Sequence, residues 1–278
     1  MFIFGVYYAV AATQPELVVG FGQGQLSFQA IDLDERTSRE AISMKDRRKL
    51  KEFIVSKGIK SAGALASLGL LLFTLAGRIN ILGFWIYIAV AILYQVISLL
   101  IIVPRYPAFV DLDDARKVRH TDERQWDKVI LWALAGSTFL MYGLAALDLG
   151  RLHVSQLSMW FAIPGVVLYV IGSVLNQWAM VHNPHFERVV RIQHEREHRV
   201  ARTGPYSQVR HPGYLGSVLF YVAFPLISGS ALALYGGMLG MIGILVRTGL
   251  EDRTLRKELA GYAEYAQKVR YRLIPYVW

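Results

Sequence analysis

Residues 211–246, HPGYLGSVLFYVAFPLISGSALALYGGMLGMIGILV, carry no Asp, Glu, Lys or Arg. As a single helix this stretch would run for roughly 54 Å, well beyond the roughly 30 Å hydrocarbon core of a bilayer. Ser228-Gly229-Ser230, with Pro225 just before it, supplies a break. The stretch therefore reads as two membrane spans joined by a tight turn.

The same pattern recurs towards the N-terminus. Runs at 61–77 and 79–103 flank Arg78-Ile79-Asn80 and form a first hairpin. Spans at 128–147 and 157–180, joined through Asp148-Leu149-Gly150-Arg151, form a second. The expected fold is all-α and polytopic, with six transmembrane spans arranged as three hairpins. A chain of 278 residues that is 54% hydrophobic and has no cysteine is a poor fit to a soluble globule, a disordered chain or a disulfide scaffold. Without cysteine there is also no thiolate metal site.

Charge placement supports this topology independently. Of 30 Lys and Arg, 28 lie before residue 61, in 104–128, in 181–211 or from 247 onward. Arg78 and Arg151 alone occupy the alternate connections. That asymmetry predicts that both termini and all long loops face the cytoplasm. The net charge of +9 then needs no nucleic-acid partner, because apposition to anionic lipid headgroups accounts for it.

Three units follow. Residues 1–60 form an N-terminal cytosolic or interfacial segment. Its first 15 residues are apolar and lack the basic start of a signal peptide, and residues 32–60 read as a solvated helix or linker. Residues 61–127 form the first hairpin and its loop, and residues 128–278 carry the chemistry.

Three features of that last unit stand out. Leu255, Leu259, Tyr262, Ala266 and Val269 recur at helical spacing, which predicts a cytosolic C-terminal amphipathic helix lying on the membrane. Gly204-Pro205 forces a turn, and Pro212 suits the first turn of a helix whose free N–H groups favour anions. Arg210, His211 and Tyr214 at that junction read either as an interfacial anchor or as part of a ligand site. Finally, Arg247 and Glu251 stand four residues apart on one helix face. They form either a local ion pair or a divided site, with Arg247 holding an anion and Glu251 a cation.

The segments GPYxxVRHPxYxG (204–216) and RxxxEDxxLxxELxGYxxYxxxVxYRLxP (247–275) resemble the isoprenylcysteine carboxyl methyltransferase family, integral membrane enzymes related to phospholipid N-methyltransferases. The resemblance is strong over 180–278, weaker over 120–180 and absent over 1–60. It implies an S-adenosyl-L-methionine site at the cytosolic face, roofed by the C-terminal helix. By position in the motifs, cofactor contacts fall to His198, Arg199, Val200, Tyr206, His211, Pro212, Gly213, Tyr214 and Glu251. Arg247 matches the arginine that holds the substrate carboxylate, so Arg247 and Glu251 are the expected catalytic pair. Arg191 departs from a family glutamine, with Gln193 close by as an alternative. The implied acceptor is prenylated or lipid-like.

The residue types suit that chemistry. A carboxylate nucleophile is already ionised at pH 7, so it needs orientation rather than a general base. Arg247 supplies a planar cation for that purpose. Glu251 can balance the charge of the methionine amino group or the sulfonium, and tyrosine rings can contact the sulfonium. An amine nucleophile would instead require a proton acceptor, with His211 or Glu251 first in line.

Two rival readings exist. His194-Glu195-Arg196-Glu197-His198 has the H-E-x-x-H spacing of zinc proteases, but its neighbours are charged and no third ligand is evident. Sterol reductases, which bind NADPH, share a similar Y…Y…V…LxP ending, whereas Gly213 before Tyr214 and the Arg247–Glu251 spacing favour the methyltransferase.

Overall fold

The computed structural model describes residues 44–105, 124–187 and 189–278. Helix α1 spans Met44–Ala76, α2 Leu82–Ile97, α3 Gln125–Leu147, α4 Ala162–Val181, α5 Pro212–Ser228, α6 Ala233–Glu258 and α7 Tyr262–Lys268. Among the described residues β-pairing is limited to one bridge, Gln156 to Ser230. The architecture is all-α, as expected. The apolar segment at 1–15 and residues 32–43 of the expected helix or linker lie outside the described residues.

The long apolar helices make this an integral, multi-pass membrane protein. Five described segments are long and apolar enough to cross a bilayer: Arg47–Ala76, Leu82–Arg105, Gln125–Leu152, Met159–Val181 and Ala233–Glu258. The sixth expected span, α5, is shorter at 17 residues, the lower end of spanning length. It stops at Gly229, whose φ of 86° is the left-handed conformation that closes a helix. The break expected from Ser228-Gly229-Ser230 is where α5 turns into α6. One expectation needs correction. Residue 61, the expected start of the first span, lies inside α1, which continues without interruption from the charged half into the apolar half.

Small residues set the packing around the site. A Cβ on Gly216 of α5 would lie 2.1 Å from the Asn176 amide and 2.6 Å from the Gly172 carbonyl of α4. The two helices therefore approach backbone to backbone, as membrane helices do where glycines face each other. Helix α6 crosses α3 in the same way, with Gly236 against the backbone of Met141. At the end of the bundle carrying the short connections, the Asp148 carboxylate accepts from the backbone of Val154 (3.0 Å) and Ser155 (3.1 Å) and from the Ser230 hydroxyl (2.6 Å). It thereby ties the α3–α4 connection to the α5–α6 turn. Deeper in the bundle, Phe224 meets Tyr142 and Tyr87 edge-on at 4.6 and 4.8 Å.

Candidate active site

At the opposite end, bearing the long loops, a cavity opens between α3, α5, α6 and the segment 183–211. The empty space between its walls is about 1120 Å³, open solvent at the mouth included. His198, Arg199, Val200, Tyr206, His211, Gly213, Tyr214, Arg247 and Glu251 all line it. Pro212, the remaining residue of the expected set, is buried at the start of α5 and is not part of the lining.

The walls follow from local structure. Pro212 begins α5 because its fixed φ suits the first helical position. This places His211 and Tyr214 side by side, with rings 5.7 Å apart and nearly parallel. The helix end itself departs from expectation. The N–H groups of Arg210 and His211 donate to Tyr271 (3.0 Å) and Arg272 (2.9 Å) of the tail, and Pro212 has none. The backbone of Gly213 is what this helix end presents to the cavity, closely covered by the Phe186 ring.

Arg247 and Glu251 do not pair with each other through a hydrogen bond, which overturns the local ion-pair reading. Arg247 instead binds Asp127 of α3 in a two-pronged contact, Nε to Oδ1 at 2.7 Å and Nη2 to Oδ2 at 3.1 Å, with both residues buried. Its guanidinium lies over the Tyr214 ring at 5.3 Å, and the Tyr214 hydroxyl donates to Glu251. Asp127 also accepts from the Val190 N–H at 2.8 Å. The two groups named as a divided site are thus separated by one tyrosine, with cationic and anionic ends in the same cavity.

Beside them Asp252 forms a hub that sequence reasoning missed. Fully buried, it receives Arg210 (2.7 and 3.1 Å), Arg256 (3.1 Å), Arg272 (3.1 Å) and the Tyr262 hydroxyl (3.0 Å). Arg210 also donates to the carbonyls of Val269 and Arg270, both at 2.7 Å. These contacts strap the tail across the start of α5.

The expected amphipathic helix is corrected in two respects. Leu255 belongs to α6, Gly261 turns the chain with a φ of 76°, and only Tyr262–Lys268 forms a separate helix. Its apolar face packs with Leu255 and Leu259 against Ile192 and Val200, so it covers the loop. Tyr206, Tyr262 and Tyr265 line the cavity beneath it, and burial raises each of their hydroxyl pKa values above the ordinary tyrosine range. They remain neutral donors at physiological pH.

The segment before α5 also differs from expectation in detail. Arg191 is buried in a fork with Glu187 (2.8 and 2.9 Å) and reaches Glu195 (2.6 Å). Gln193 is bound to His185 and Arg196. Neither residue lines the cavity, and both shape the loop. His194–Arg196 is a single 3₁₀ turn, followed by Glu197 at a φ of 47°. His194 and His198 therefore do not share a helix face, which removes the geometry a zinc-protease helix requires. His198 stacks on His185 at 4.5 Å and accepts from the Gln193 N–H at 3.3 Å. Burial, with His185, Arg191 and Arg196 nearby, lowers its pKa to about 4.

Much of the cavity's lining falls within a stretch that comparison with known proteins recognises. Residues 165–257 match the model of the isoprenylcysteine carboxyl methyltransferase family. The resemblance read from the two motifs is borne out. Probable protein-S-isoprenylcysteine O-methyltransferases of Oryza sativa subsp. indica and subsp. japonica are each 30% identical over 114 residues, 40% of this chain. The chain spans 60% of the length of these curated relatives. The Delta(14)-sterol reductase of Mus musculus is 37% identical over 79 residues, 27% of this chain and 19% of that protein. Among solved structures, the eukaryotic intramembrane Ras methyltransferase ICMT aligns over 87% of this chain and 86% of that one, with a TM-score of 0.49 and 17% identity.

Proposed function

We propose that this chain is an S-adenosylmethionine-dependent membrane methyltransferase. Its substrate is a lipid-like or prenylated acceptor, methylated on a carboxylate at the cytosolic membrane face, and residues 128–278 form the catalytic unit, with Asp127 just ahead of it. The observation that supports this reading is the divided cavity, with Arg247 held over one face of Tyr214 and Glu251 bonded to that tyrosine's hydroxyl. The lining suits a cationic cofactor. Glu251 supplies negative charge, and Tyr206, Tyr262 and Tyr265 supply ring faces.

When bound, the cofactor supplies an electrophilic methyl group on a sulfonium. The chain's own contribution is positioning. Asp127 fixes the guanidinium plane of Arg247, and Arg247 orients the acceptor anion. Glu251 balances the opposite charge, and α7 with its Asp252 strap keeps bulk water from the polar end. The concentration of Lys and Arg on the long loops supports a cytosolic orientation for this end.

The test is transfer of labelled methyl from S-adenosylmethionine to an S-alkyl cysteine by the purified protein in lipid nanodiscs. The expected product is a methyl ester, which releases labelled methanol in base. Label that survives base, on an amine-headed lipid, would replace the carboxylate by an amine. No transfer, together with stabilisation by NADPH, would favour a reductase.

A further inference from the structure

The tail beyond α7 has a second face, which the strap on Asp252 does not use. From Tyr265 to Trp278 the chain carries Lys268, Arg270 and Arg272 and no Asp or Glu. Leu273 is buried, whereas Ile274, Pro275, Tyr276 and Val277 are exposed, Tyr276 by 89% and Val277 by 74%. A contiguous apolar projection of this kind marks a surface that meets something other than water.

The projection is built rather than loose. The N–H groups of Arg272, Leu273 and Ile274 converge on the Trp278 main-chain oxygen at 2.8, 3.0 and 3.4 Å, and the Ile274 carbonyl accepts from Val277 and Trp278, both at 3.2 Å. The Arg272 guanidinium lies over the Trp278 ring at 5.0 Å, and the Tyr271 ring meets that of Tyr276 at 5.3 Å. Tyr276 is held at a φ of 65°, which a bulky residue adopts only where its surroundings impose it. The loop therefore presents its tip in one shape.

Its height in the membrane is set by α5. That helix has 17 residues, roughly 25 Å, which falls short of the roughly 30 Å hydrocarbon core. Its ends therefore lie at the edges of that core and not beyond the headgroups. Tyr271 and Arg272 accept from the N–H groups of His211 and Arg210 just before the first turn, so the tip hangs at the same level. Tyrosine and tryptophan are enriched at that depth, and exposed cations such as Lys268 and Arg270 are attracted to anionic headgroups there.

We propose that residues 274–277 form an interfacial anchor, seated between the headgroups and upper acyl chains of the leaflet beside the cavity, with Lys268 and Arg270 favouring anionic phospholipid. The anchor lies on the strand that carries Arg272 to Asp252, so it holds the edge of the cavity at the bilayer surface. It does not depend on the reaction catalysed, and its failure would leave the methyltransferase reading standing.

The chain has no cysteine, so Tyr276→Cys and Val277→Cys each carry a single nitroxide, in nanodiscs of phosphatidylcholine with or without phosphatidylglycerol. Oxygen, which concentrates among acyl chains, should relax both labels more than a water-soluble nickel chelate does. Lys257→Cys, exposed at the end of α6, should give the reverse order, and Leu239→Cys, exposed in the apolar half of α6, the largest oxygen response. Phosphatidylglycerol should shift the tip labels further towards oxygen, and Lys268→Gln with Arg270→Gln should abolish that shift. Tip labels relaxed mainly by nickel would place the tip in water and overturn the anchor. Labels reached by neither reagent would place it against a second copy of the chain and overturn it equally. Oxygen-dominated labels indifferent to phosphatidylglycerol would overturn the anionic preference. Should Tyr276→Cys not fold, Val277→Cys still decides.

Discussion

Arg247 donates two hydrogen bonds to the Asp127 carboxylate in a buried setting, and the energetics of such a pair are asymmetric. Removing one partner strands a charge and costs about 3–5 kcal/mol, whereas replacing both by apolar groups is often neutral or stabilising. Asp127→Ala is therefore expected to lower stability by about that amount, and Asp127→Ala with Arg247→Leu to recover most of it. Methyl transfer should be lost in both, because the double variant restores packing and not the cation. Equilibrium unfolding together with the methyl-transfer assay checks this. An active double variant would show that Arg247 is structural only. Arg247 itself stood out in the sequence, as a charge at a span boundary in a recognisable motif. Its partner did not, because Asp127 lies 120 residues earlier and meets it only through the crossing of α3 and α6. Asp252 was in plain view beside Glu251, with Arg256 one turn on, but its role depends on Arg210 and Arg272 converging from two other segments, which no local spacing encodes.

At the scale of elements, the loop from His182 to His211 depends on two stacked imidazoles being neutral. Burial, then the neighbouring cations, lowers the pKa of His198 from an ordinary 6.5 to about 4, and burial likewise lowers that of His185. Between those values the unfolded loop binds more protons than the folded one, so folding stability rises with pH there. The contribution of His198 is fully present above pH 6.5 and is lost as pH falls towards 4. Protection factors over residues 183–201, taken relative to the intrinsic exchange rate at each pH, should therefore fall across that interval as pH is lowered, and His198→Gln should flatten the dependence. Unaltered protection factors between pH 7 and 4.5 would refute the assignment. The start of α5 was legible because Pro212 determines it locally. Helix α7 was misread because periodicity runs smoothly from Leu255 to Val269, while the reversal at Gly261 is a matter of one φ angle.

For the whole molecule, hydropathy was enough to read the long apolar helices and their order, since that pattern is set by the bilayer rather than by particular contacts. The start of α1 escaped that reading because a helix may leave the membrane without any change in its backbone. Orientation is checked by cysteines introduced singly into this cysteine-free chain. Arg78→Cys and His153→Cys, both exposed, should react with an impermeant thiol reagent in intact cells. Lys257→Cys and Lys268→Cys, also exposed, should react only after the membrane is opened. The reverse pattern would place the cavity on the outer face. Most direct of all is a melting experiment on the purified protein with S-adenosylhomocysteine or NADPH in turn, because a ligand that binds only the folded state must raise stability, by about 2.7 kcal/mol at a hundredfold excess over Kd. The account predicts a rise with S-adenosylhomocysteine, absent in Tyr214→Ala, and no response to NADPH. A rise with NADPH and none with S-adenosylhomocysteine would contradict it.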